Sequence, residues 1–286
     1  MKVPTLEHLR ADDIERMDYN QLIGLVRETN RPPGGLDSIV TIAQRAFVRP
    51  GWRVLDIGTS TGVTAIELAR LTGASVQGID INPVSLEEAR RRAILYGVDD
   101  LCSFQQQDAT MLVDEDETFD VVFCGNVTSL ISRHERALGE YVRVLKLGGF
   151  LAAIPMYYVR TPSEKLIEAV REAIQVRIEP LDKRYWTDFF SITPLQPFFC
   201  EDYTFDALDP AEVDTFVDHI LARPHLESLD AEARSAVNRK YRAHLQLFRE
   251  NLAHMGYSVM LLRKEPEPMD RELFTAHRAH AGVRAR

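Results

Sequence analysis

The sequence predicts an α/β protein whose central sheet is doubly wound and mostly parallel, with helices on both faces. Between residues 52 and 155, apolar runs of strand length alternate with longer amphipathic runs of helix length. This alternation is typical of parallel strands joined by crossover helices. The first apolar run also ends in an acid, followed by two glycines four positions apart and a helical pattern. That order is typical of the tight strand-to-helix turn at which such sheets bind nucleotide-like ligands.

The elements of the first half follow from hydrophobic spacing and from Gly and Pro. One or two helices are predicted over residues 5–30 and another over 36–48, with Pro- and Gly-rich breaks at 31–35 and 50–51. Five strands are predicted at 52–57, 75–79, 101–106, 119–124 and 150–155. The predicted helices between them are 63–72, 83–96 and 135–145. We expect Gly148 and Gly149 to turn the chain into the fifth strand.

The second half of the chain is less regular. Helices are predicted at about 162–176, 210–222 and 230–254, and a last strand at 257–262. Residues 177–205 are rich in aromatic side chains and prolines. After about residue 269 the chain is charged and poor in apolar side chains, so we expect a loosely held tail.

The composition indicates a chain that can bury a full core. It has 286 residues, is 45% hydrophobic, and carries a formal net charge of -9. The acidic balance argues against a nucleic-acid substrate, because nucleic-acid enzymes usually present a basic face. No apolar run approaches the roughly 18 residues of a membrane span. Cys102, Cys124 and Cys200 lack Cys-x-x-Cys spacing, so neither a disulfide framework nor a metal site is indicated. We expect a cytoplasmic protein.

Three acids lie at or beside the ends of predicted strands: Asp56, Asp80 and Asp108. In an open α/β sheet, the carboxyl ends of the parallel strands border the crevice where ligands bind. Asp80 follows Asp56 at about the spacing that places an acid on ribose hydroxyls in such folds. Its two carboxylate oxygens match two vicinal hydroxyls, and charge-assisted hydrogen bonds are the stronger kind.

Several motifs in residues 50–155 resemble those of class I methyltransferases that depend on S-adenosylmethionine (SAM). Asp56 and the turn over residues 58–62 are similar to the first motif, acid-x-Gly-x-Gly-x-Gly, with Ser60 in place of the middle glycine. The second, third and fourth motifs are matched by Gly78-Ile79-Asp80-Ile81, Gln107-Asp108-Ala109 and Phe119-Asp120-Val121-Val122. The segment after the fourth motif is matched by residues 135–149, with Leu147 where small-molecule members commonly have proline. The resemblance implies a Rossmann-like sheet of seven strands and SAM as cofactor.

The resemblance also implies a role for each matched residue. Asp56 and the 58–62 turn would hold the methionine amine and carboxylate of SAM, and Asp80 would bind the ribose hydroxyls. The cofactor-binding residues implied in this way are Asp56, Gly58, Thr59, Ser60, Gly62, Asp80, Ile81, Asp108, Ala109 and Asn126. Ile81 would pack on adenine, Asp108 and Ala109 would face its edge, and Asn126 would line the methionine portion. Apart from the resemblance, we expect Tyr19 of the predicted N-terminal helices to close over the methionine end of SAM; a helix-surface position is the alternative.

A dinucleotide cofactor is the main alternative on this kind of sheet. Its Gly-x-Gly-x-x-Gly fingerprint would require glycines where this chain has Ser60 and Val63. Base methyltransferases of nucleic acids often carry Asn/Asp-Pro-Pro-Tyr/Phe after the fourth strand, whereas this chain has Cys124-Gly125-Asn126-Val127. Both comparisons favour SAM and a small-molecule acceptor.

Methyl transfer from a sulfonium needs alignment and desolvation more than a dedicated catalytic side chain. A general base is required only when the acceptor must lose a proton, so the catalytic residue stays open. The candidates are His134, at the start of the helix after the fourth strand, and Tyr157 and Tyr158, just after the fifth. The aromatic segment 177–205 fits a lid over an apolar acceptor and equally fits packing for the added helices.

We therefore expect a SAM-dependent methyltransferase acting at O, N or C of a secondary metabolite or lipid-like molecule. The alternatives are transfer of another group from SAM, or a catalytically silent SAM-binding interaction module whose partner surface is 177–254. A homodimer is possible. The predicted organisation is a helical cap over 1–49, a SAM-binding core over 50–160, a helical and aromatic lid with the last strands over 161–265, and a tail over 266–286.

Overall fold

The computed structural model describes residues 6–192, 194–267 and 270, and its centre is a single sheet. The strands of this sheet are β1 Arg53–Ile57, β2 Ser75–Asp80, β3 Cys102–Gln106, β4 Phe119–Cys124, β5 Leu145–Ala153, β6 Met156–Tyr158, β7 Leu195–Thr204 and β8 Met255–Lys264. Their order is β3-β2-β1-β4-β5-β8-β6, and β7 pairs with β8. Strands β1 to β5 are parallel, and β8 is antiparallel to β5, β6 and β7.

The eight strands occupy seven lateral positions, in agreement with the predicted seven-stranded sheet. Ala153 of β5 pairs with Met260, and Met156 of β6 pairs with Tyr257 on the same strand, β8. The two short strands are thus one line of chain interrupted at Pro155. Proline has no amide hydrogen to donate, but its carbonyl still accepts from the amide of Ser258 at 3.2 Å.

The helices in the described residues lie between and beyond these strands. They are α1 Ala11–Arg16, α2 Tyr19–Val26, α3 Gly35–Arg45, α4 Val63–Thr72, α5 Pro83–Leu95, α6 His134–Val144, α7 Glu164–Ile174, α8 Lys183–Phe190, α9 Pro210–Leu221 and α10 Ala231–Leu252. Asn82 caps α5 through a bond from the amide of Val84, with Pro83 at the first helical position. The predicted start of this helix at residue 83 is confirmed.

The predicted turn at Gly148 and Gly149 is wrong, because β5 already begins at Leu145 and both glycines lie within it. A Cβ on Gly149 would lie 2.8 Å from the carbonyl oxygen of Asp120 in β4. The pairing between β4 and β5 shifts register at this point. The glycines therefore allow a close approach of two strands at an irregularity rather than a reversal of the chain.

Helices cover both faces of the sheet, as predicted. Val54 of β1 packs in a core with residues of α3, α4 and α5, whereas Leu55 packs with α6 and α8 on the opposite face. Alternation of adjacent side chains between two buried faces is what a central parallel strand requires.

A third core forms a helical cap from both ends of the chain, and we use "the cap" for α1, α2, α9 and α10. Ile14 and Leu22 from the N-terminal helices are buried with Val217 of α9 and Tyr241 of α10. Helix α3 does not belong to this core, since Ile39 and Ile42 pack against the sheet. Residues 6–49 thus contribute to two layers of the molecule.

The aromatic segment 177–205 supplies packing and a strand. Trp186 and Phe190 of α8 are buried against the sheet. Residues 195–204 form β7, an outer strand of the sheet in the described part of the chain. This favours the packing interpretation over the lid. The predicted tail after residue 270 lies outside the described residues.

Candidate functional site

The turn between β1 and α4, residues 58–62, follows the carboxyl end of the central strand. Gly58 and Gly62 have φ values of +67° and +81°, which side chains rarely tolerate. A Cβ on Gly58 would lie 2.5 Å from Cγ2 of Val127, and one on Gly62 would lie 2.7 Å from Cβ of Ala89. Both glycines are required by close packing as well as by conformation.

Ser60 has a left-handed backbone, with φ of 49°. This explains why the related motif has glycine here. A serine is compatible with the turn because polar short side chains tolerate this region better than branched ones do. Its amide donates to Oδ2 of Asp80 at 2.9 Å, which ties the turn to the end of β2.

Asp80 is partly buried at the carboxyl end of β2. Its second oxygen, Oδ1, accepts from the amide of Asn82 at 2.8 Å. Burial raises the pKa of Asp80, and the hydrogen bonds from the amides of Asn82, Ser60 and Ile81 oppose that rise. Carboxylate oxygens have further lone pairs, so these bonds orient the group and leave it able to accept from two hydroxyls.

Asp56 lies inside the turn rather than on its surface, with 2% of its area exposed. Its Oδ2 accepts from Oγ1 of Thr59 at 2.6 Å. The pKa of Asp56 is raised to about 7, mainly by burial and also by the charge of Asp80, while the hydrogen bond from Thr59 opposes the rise. Gly78 makes room for this pair, since a Cβ there would lie 2.7 Å from Oγ1 of Thr59. A direct contact of Asp56 with the methionine amine stays a prediction.

The adenine-side residues follow β2 and β3. Oδ1 of Asp108 accepts from the amide and the hydroxyl of Thr110, both at 2.8 Å. These bonds lower the pKa of Asp108, so the exposed carboxylate is ionised at neutral pH. The Ile81 side chain is 70% exposed, and Ala109 is buried. An exposed apolar side chain beside an oriented acceptor suits a flat ring with an amino group.

Asn126 begins a short 3-10 turn directly after β4, over Asn126–Leu130. Its Oδ1 accepts from the hydroxyl of Ser129 at 3.1 Å and from the amide of Met156 at 3.3 Å. Cys124 before it is fully buried, and burial raises the pKa of its thiol to about 12. Cys124 is therefore a neutral packing residue.

Tyr19 starts helix α2 and packs edge-on against Phe248 and His244 of α10, with ring centroids 4.6 and 5.8 Å apart. Burial and the neighbouring carboxylate of Glu28 raise the pKa of its phenol. Helix α2 and the residues just after it are tied to the carboxyl ends of β1 and β2 at two points. Nδ2 of Asn82 donates to the carbonyl of Asn20 at 3.1 Å, and the hydroxyl of Thr61 donates to the carbonyl of Glu28 at 2.7 Å.

The three candidate bases all have internal partners. Nδ1 of His134 lies 3.2 Å from the carbonyl of Ile131, and Nε2 lies 2.5 Å from the hydroxyl of Tyr185 and 3.3 Å from Oε1 of Glu135. The hydroxyl of Tyr157 donates to the carbonyl of Tyr257, and that of Tyr158 donates to Oδ1 of Asn251 at 2.9 Å. A catalytic role for any of them stays a prediction.

The sequence analysis did not predict two candidates, Glu28 and Arg92, nor the contacts of Thr61 within the predicted turn. Burial raises the pKa of the Glu28 carboxyl, and a hydrogen bond from the hydroxyl of Tyr241 at 2.6 Å opposes it. Arg92 donates to the hydroxyl of Thr61 at 3.0 Å. No motif marks these contacts, because they join segments about thirty residues apart or more.

Among the described residues, no three His, Cys, Asp or Glu side chains are grouped as a metal site requires. None of the helices described is both long and apolar enough to cross a bilayer.

The fold and this edge of the sheet define a class I SAM-binding domain. The positive-φ glycines leave room that a Cβ would fill, and the acids at the ends of β1, β2 and β3 suit a cationic ligand with ribose hydroxyls. Residues 54–149 match a family model described as a methyltransferase domain. These residues are thus a methyltransferase domain, the resemblance seen in the motifs is confirmed, and SAM is its cofactor.

Three relatives of known sequence are similar to this chain, and two of them are named as methyltransferases. An uncharacterized protein of Haemophilus influenzae is 29% identical over 62% of this chain and 70% of its own length. The methyltransferase GfsG of Streptomyces halstedii is 39% identical over 38% of this chain and 39% of its own. Sterol methyltransferase-like 1 of Botryococcus braunii is 35% identical over 39% of this chain. The chain spans 28% of the length of that relative, so the match covers the shared domain.

Solved structures share the fold over most of the chain. The crystal structure of the MccD protein has a TM-score of 0.69 and 26% identity, covering 82% of this chain and 100% of that one. The [4+2]-cyclase SpnF has a TM-score of 0.66 and 20% identity, covering 92% and 98%. Geranyl diphosphate C-methyltransferase from Streptomyces coelicolor A3(2), with S-adenosyl-L-homocysteine bound, has a TM-score of 0.56 and 15% identity, covering 80% and 78%. The last two show the fold alone.

Proposed function

We propose that the protein transfers the methyl group of SAM to a small molecule whose reacting atom is O, N or C. The observation that carries the small-molecule part is the attachment of α2 over the carboxyl ends of the strands, through Asn20 and Glu28. A polymer substrate needs an open path to the cofactor, whereas a helical cap encloses the acceptor and excludes water. The acidic net charge of -9 supports the same choice.

The residues of the site supply binding, orientation and exclusion of water. SAM supplies an activated methyl group on a sulfonium. Asp80 would accept from the ribose hydroxyls, Asp108 would accept from the adenine amino group, and Ile81 would pack on the ring. Asp56 and the 58–62 turn would hold the methionine end. With the donor aligned, positioning of the acceptor by the cap accounts for most of the rate enhancement such a transfer needs.

The acceptor that we propose is a secondary metabolite or a lipid-like molecule. Relatives whose names give their acceptors include sterol 24-C-methyltransferase of Schizosaccharomyces pombe and a ubiquinone/menaquinone C-methyltransferase of Azotobacter vinelandii. The aromatic side chains of the cap, Tyr19 and Phe248, would suit an apolar acceptor. A cytoplasmic location and a homodimer remain part of the proposal.

The cofactor placement is tested by calorimetric titration with SAM. We expect Asp80→Ala to weaken binding at least tenfold, about 1.4 kcal/mol, since it removes charge-assisted bonds worth about 1.5–3 kcal/mol. Asp99→Ala, an exposed acid before the start of β3 at the opposite edge, is the matched control and should leave affinity unchanged. Equal affinities of the two variants would show that the ribose is bound elsewhere.

The reaction is tested by the mass of the product formed from candidate acceptors. A gain of one methyl group in place of one hydrogen supports methyl transfer. Any other increment supports the alternative of another group from SAM. SAM binding without turnover of any acceptor would support a silent interaction module.

The base is tested separately, once an acceptor is known. His134→Gln, Tyr157→Phe and Tyr158→Phe each remove one candidate proton acceptor. If one of these side chains is the base, its variant should show a large fall in kcat and a changed pH profile, with little change in KM. Variants with unchanged kcat identify side chains that only pack.

A further inference from the structure

The end of helix α2 is held by side chains from distant parts of the chain. The helix ends at Val26, and Arg27 follows with a left-handed backbone, φ 55°. The last carbonyls of a helix lack partners within it and carry partial negative charge. Here Nη2 of Arg92 donates to the carbonyls of Arg27 and Glu28. Nη1 of Arg223 donates to the carbonyl of Val26 at 3.0 Å and also to the carbonyl of Arg27. Arg223 therefore caps the last carbonyl of α2, and Arg92 binds the two carbonyls that follow it.

Arg92 connects this helix end to the 58–62 turn. Its side chain is 8% exposed, and its Nη1 donates to the hydroxyl of Thr61 at 3.0 Å. Its Nε donates to Oε1 of Glu88 at 2.8 Å, which compensates the buried charge. Burial favours a higher pKa for Glu88, but the hydrogen bonds and charges of Arg91 and Arg92 outweigh it, so the pKa is lowered and the pair stays ionised.

Thr61 completes the connection. It is fully buried in the turn, and its hydroxyl accepts from Arg92 while donating to the carbonyl of Glu28 at 2.7 Å. One hydroxyl thus fixes the turn, the helix after β2 and the end of α2 against each other. Because α2 also carries Tyr19, a shift at Thr61 alters both the turn and the helix above it.

We propose that Thr61 and Arg92 are positioning residues for SAM: they hold the 58–62 turn and α2 in the one arrangement that binds the cofactor. The proposal rests on the proposed function of the turn. It implies that SAM binding and the seating of α2 are linked, so that each stabilises the other. Neither side chain needs to touch the ligand.

The experiment compares three variants by SAM calorimetry and thermal unfolding. Thr61→Val keeps the shape but removes the hydroxyl, and we expect its SAM affinity to fall on the order of tenfold or more, a typical coupling. Thr61→Ser keeps the hydroxyl and should bind within about threefold of the parent, which is under 1 kcal/mol. Lys264→Met is the control, because Lys264 is largely buried and donates to the carbonyls of Val142 and Leu145 at the end of α6, away from α2 and the 58–62 turn. Its Tm should fall while its SAM affinity stays near that of the parent.

Amide hydrogen exchange of α2 supplies a readout that a merely structural role would not change. SAM should slow exchange over Tyr19–Val26 in the parent chain and in Thr61→Ser, and much less in Thr61→Val. Where Thr61→Val fails to fold, Arg92→Lys serves instead, because an ammonium keeps the charge beside Glu88 without reaching both Thr61 and the carbonyls.

Two results would overturn the inference. One is a Thr61→Val protein that binds SAM as tightly as Thr61→Ser. The other is an equal loss of affinity in Lys264→Met for the same loss of Tm, which would mean that general destabilisation explains both. A parent chain that binds no SAM is a different result, since it would refute the proposed function itself and this inference with it.

Discussion

Replacing Gly62 by alanine tests whether the turn needs glycine for its conformation alone or also for close packing. The left-handed backbone, φ +81°, costs an alanine about 1–2 kcal/mol. The new Cβ would lie 2.7 Å from Cβ and 3.1 Å from Cα of Ala89 in α5, so a helix backbone must shift. Overpacking of this kind costs about 1–3 kcal/mol. We expect a total loss of about 2–5 kcal/mol in the free energy of unfolding.

Gly97→Ala is the matched control. Gly97 also has a positive φ, +64°, but no atom lies within 4 Å of its would-be Cβ. Only the conformational cost of about 1–2 kcal/mol should remain. Urea unfolding of both variants gives the difference, and calorimetry with SAM shows whether only Gly62→Ala also loses affinity. Equal losses of stability, with SAM affinity intact in both, would refute the packing argument.

Two further predictions concern the same turn. The pKa of Asp56 is about 7 in the folded protein, against an ordinary value of 3.8. Between these pH values the folded state binds one more proton than the unfolded state, so the free energy of unfolding falls as the pH rises from about 4 to 7. Asp56→Asn should make the free energy of unfolding less dependent on pH in this range, as measured by urea unfolding at several pH values. If the parent and the variant gave parallel plots of stability against pH, the raised pKa would be contradicted. Ser60→Gly removes the strain of a left-handed backbone with φ of 49°, but it also raises the conformational entropy of the unfolded chain. The two effects oppose each other, so the free energy of unfolding should stay within about 1 kcal/mol of the parent. Ser60→Val should instead weaken SAM binding, and a valine variant that binds normally would show that the turn tolerates branching.

The core of the fold could be predicted because its signals are local. An apolar run predicted β4, a helical pattern between Gly62 and Gly73 predicted α4, and Asn82-Pro83 marked the start of α5. The turn over residues 58–62 could be predicted because glycine is the residue that adopts positive φ most readily, as Gly58 and Gly62 do. Where a glycine serves a close approach between strands, as Gly149 does, the same signal was misread as a turn.

By itself, the sequence determined the doubly wound sheet, the carboxyl-edge acids and the SAM-type turn, since each depends on spacing within a few residues or on strand order. Tertiary structure alone decided that α1 and α2 join α9 and α10 in one cap, that Asp56 is buried behind Thr59, and that Thr61 meets both Arg92 and Glu28. The physical reason is that these contacts join segments far apart in the chain. Burial and hydrogen-bond partners there depend on how whole helices pack, which no local pattern encodes.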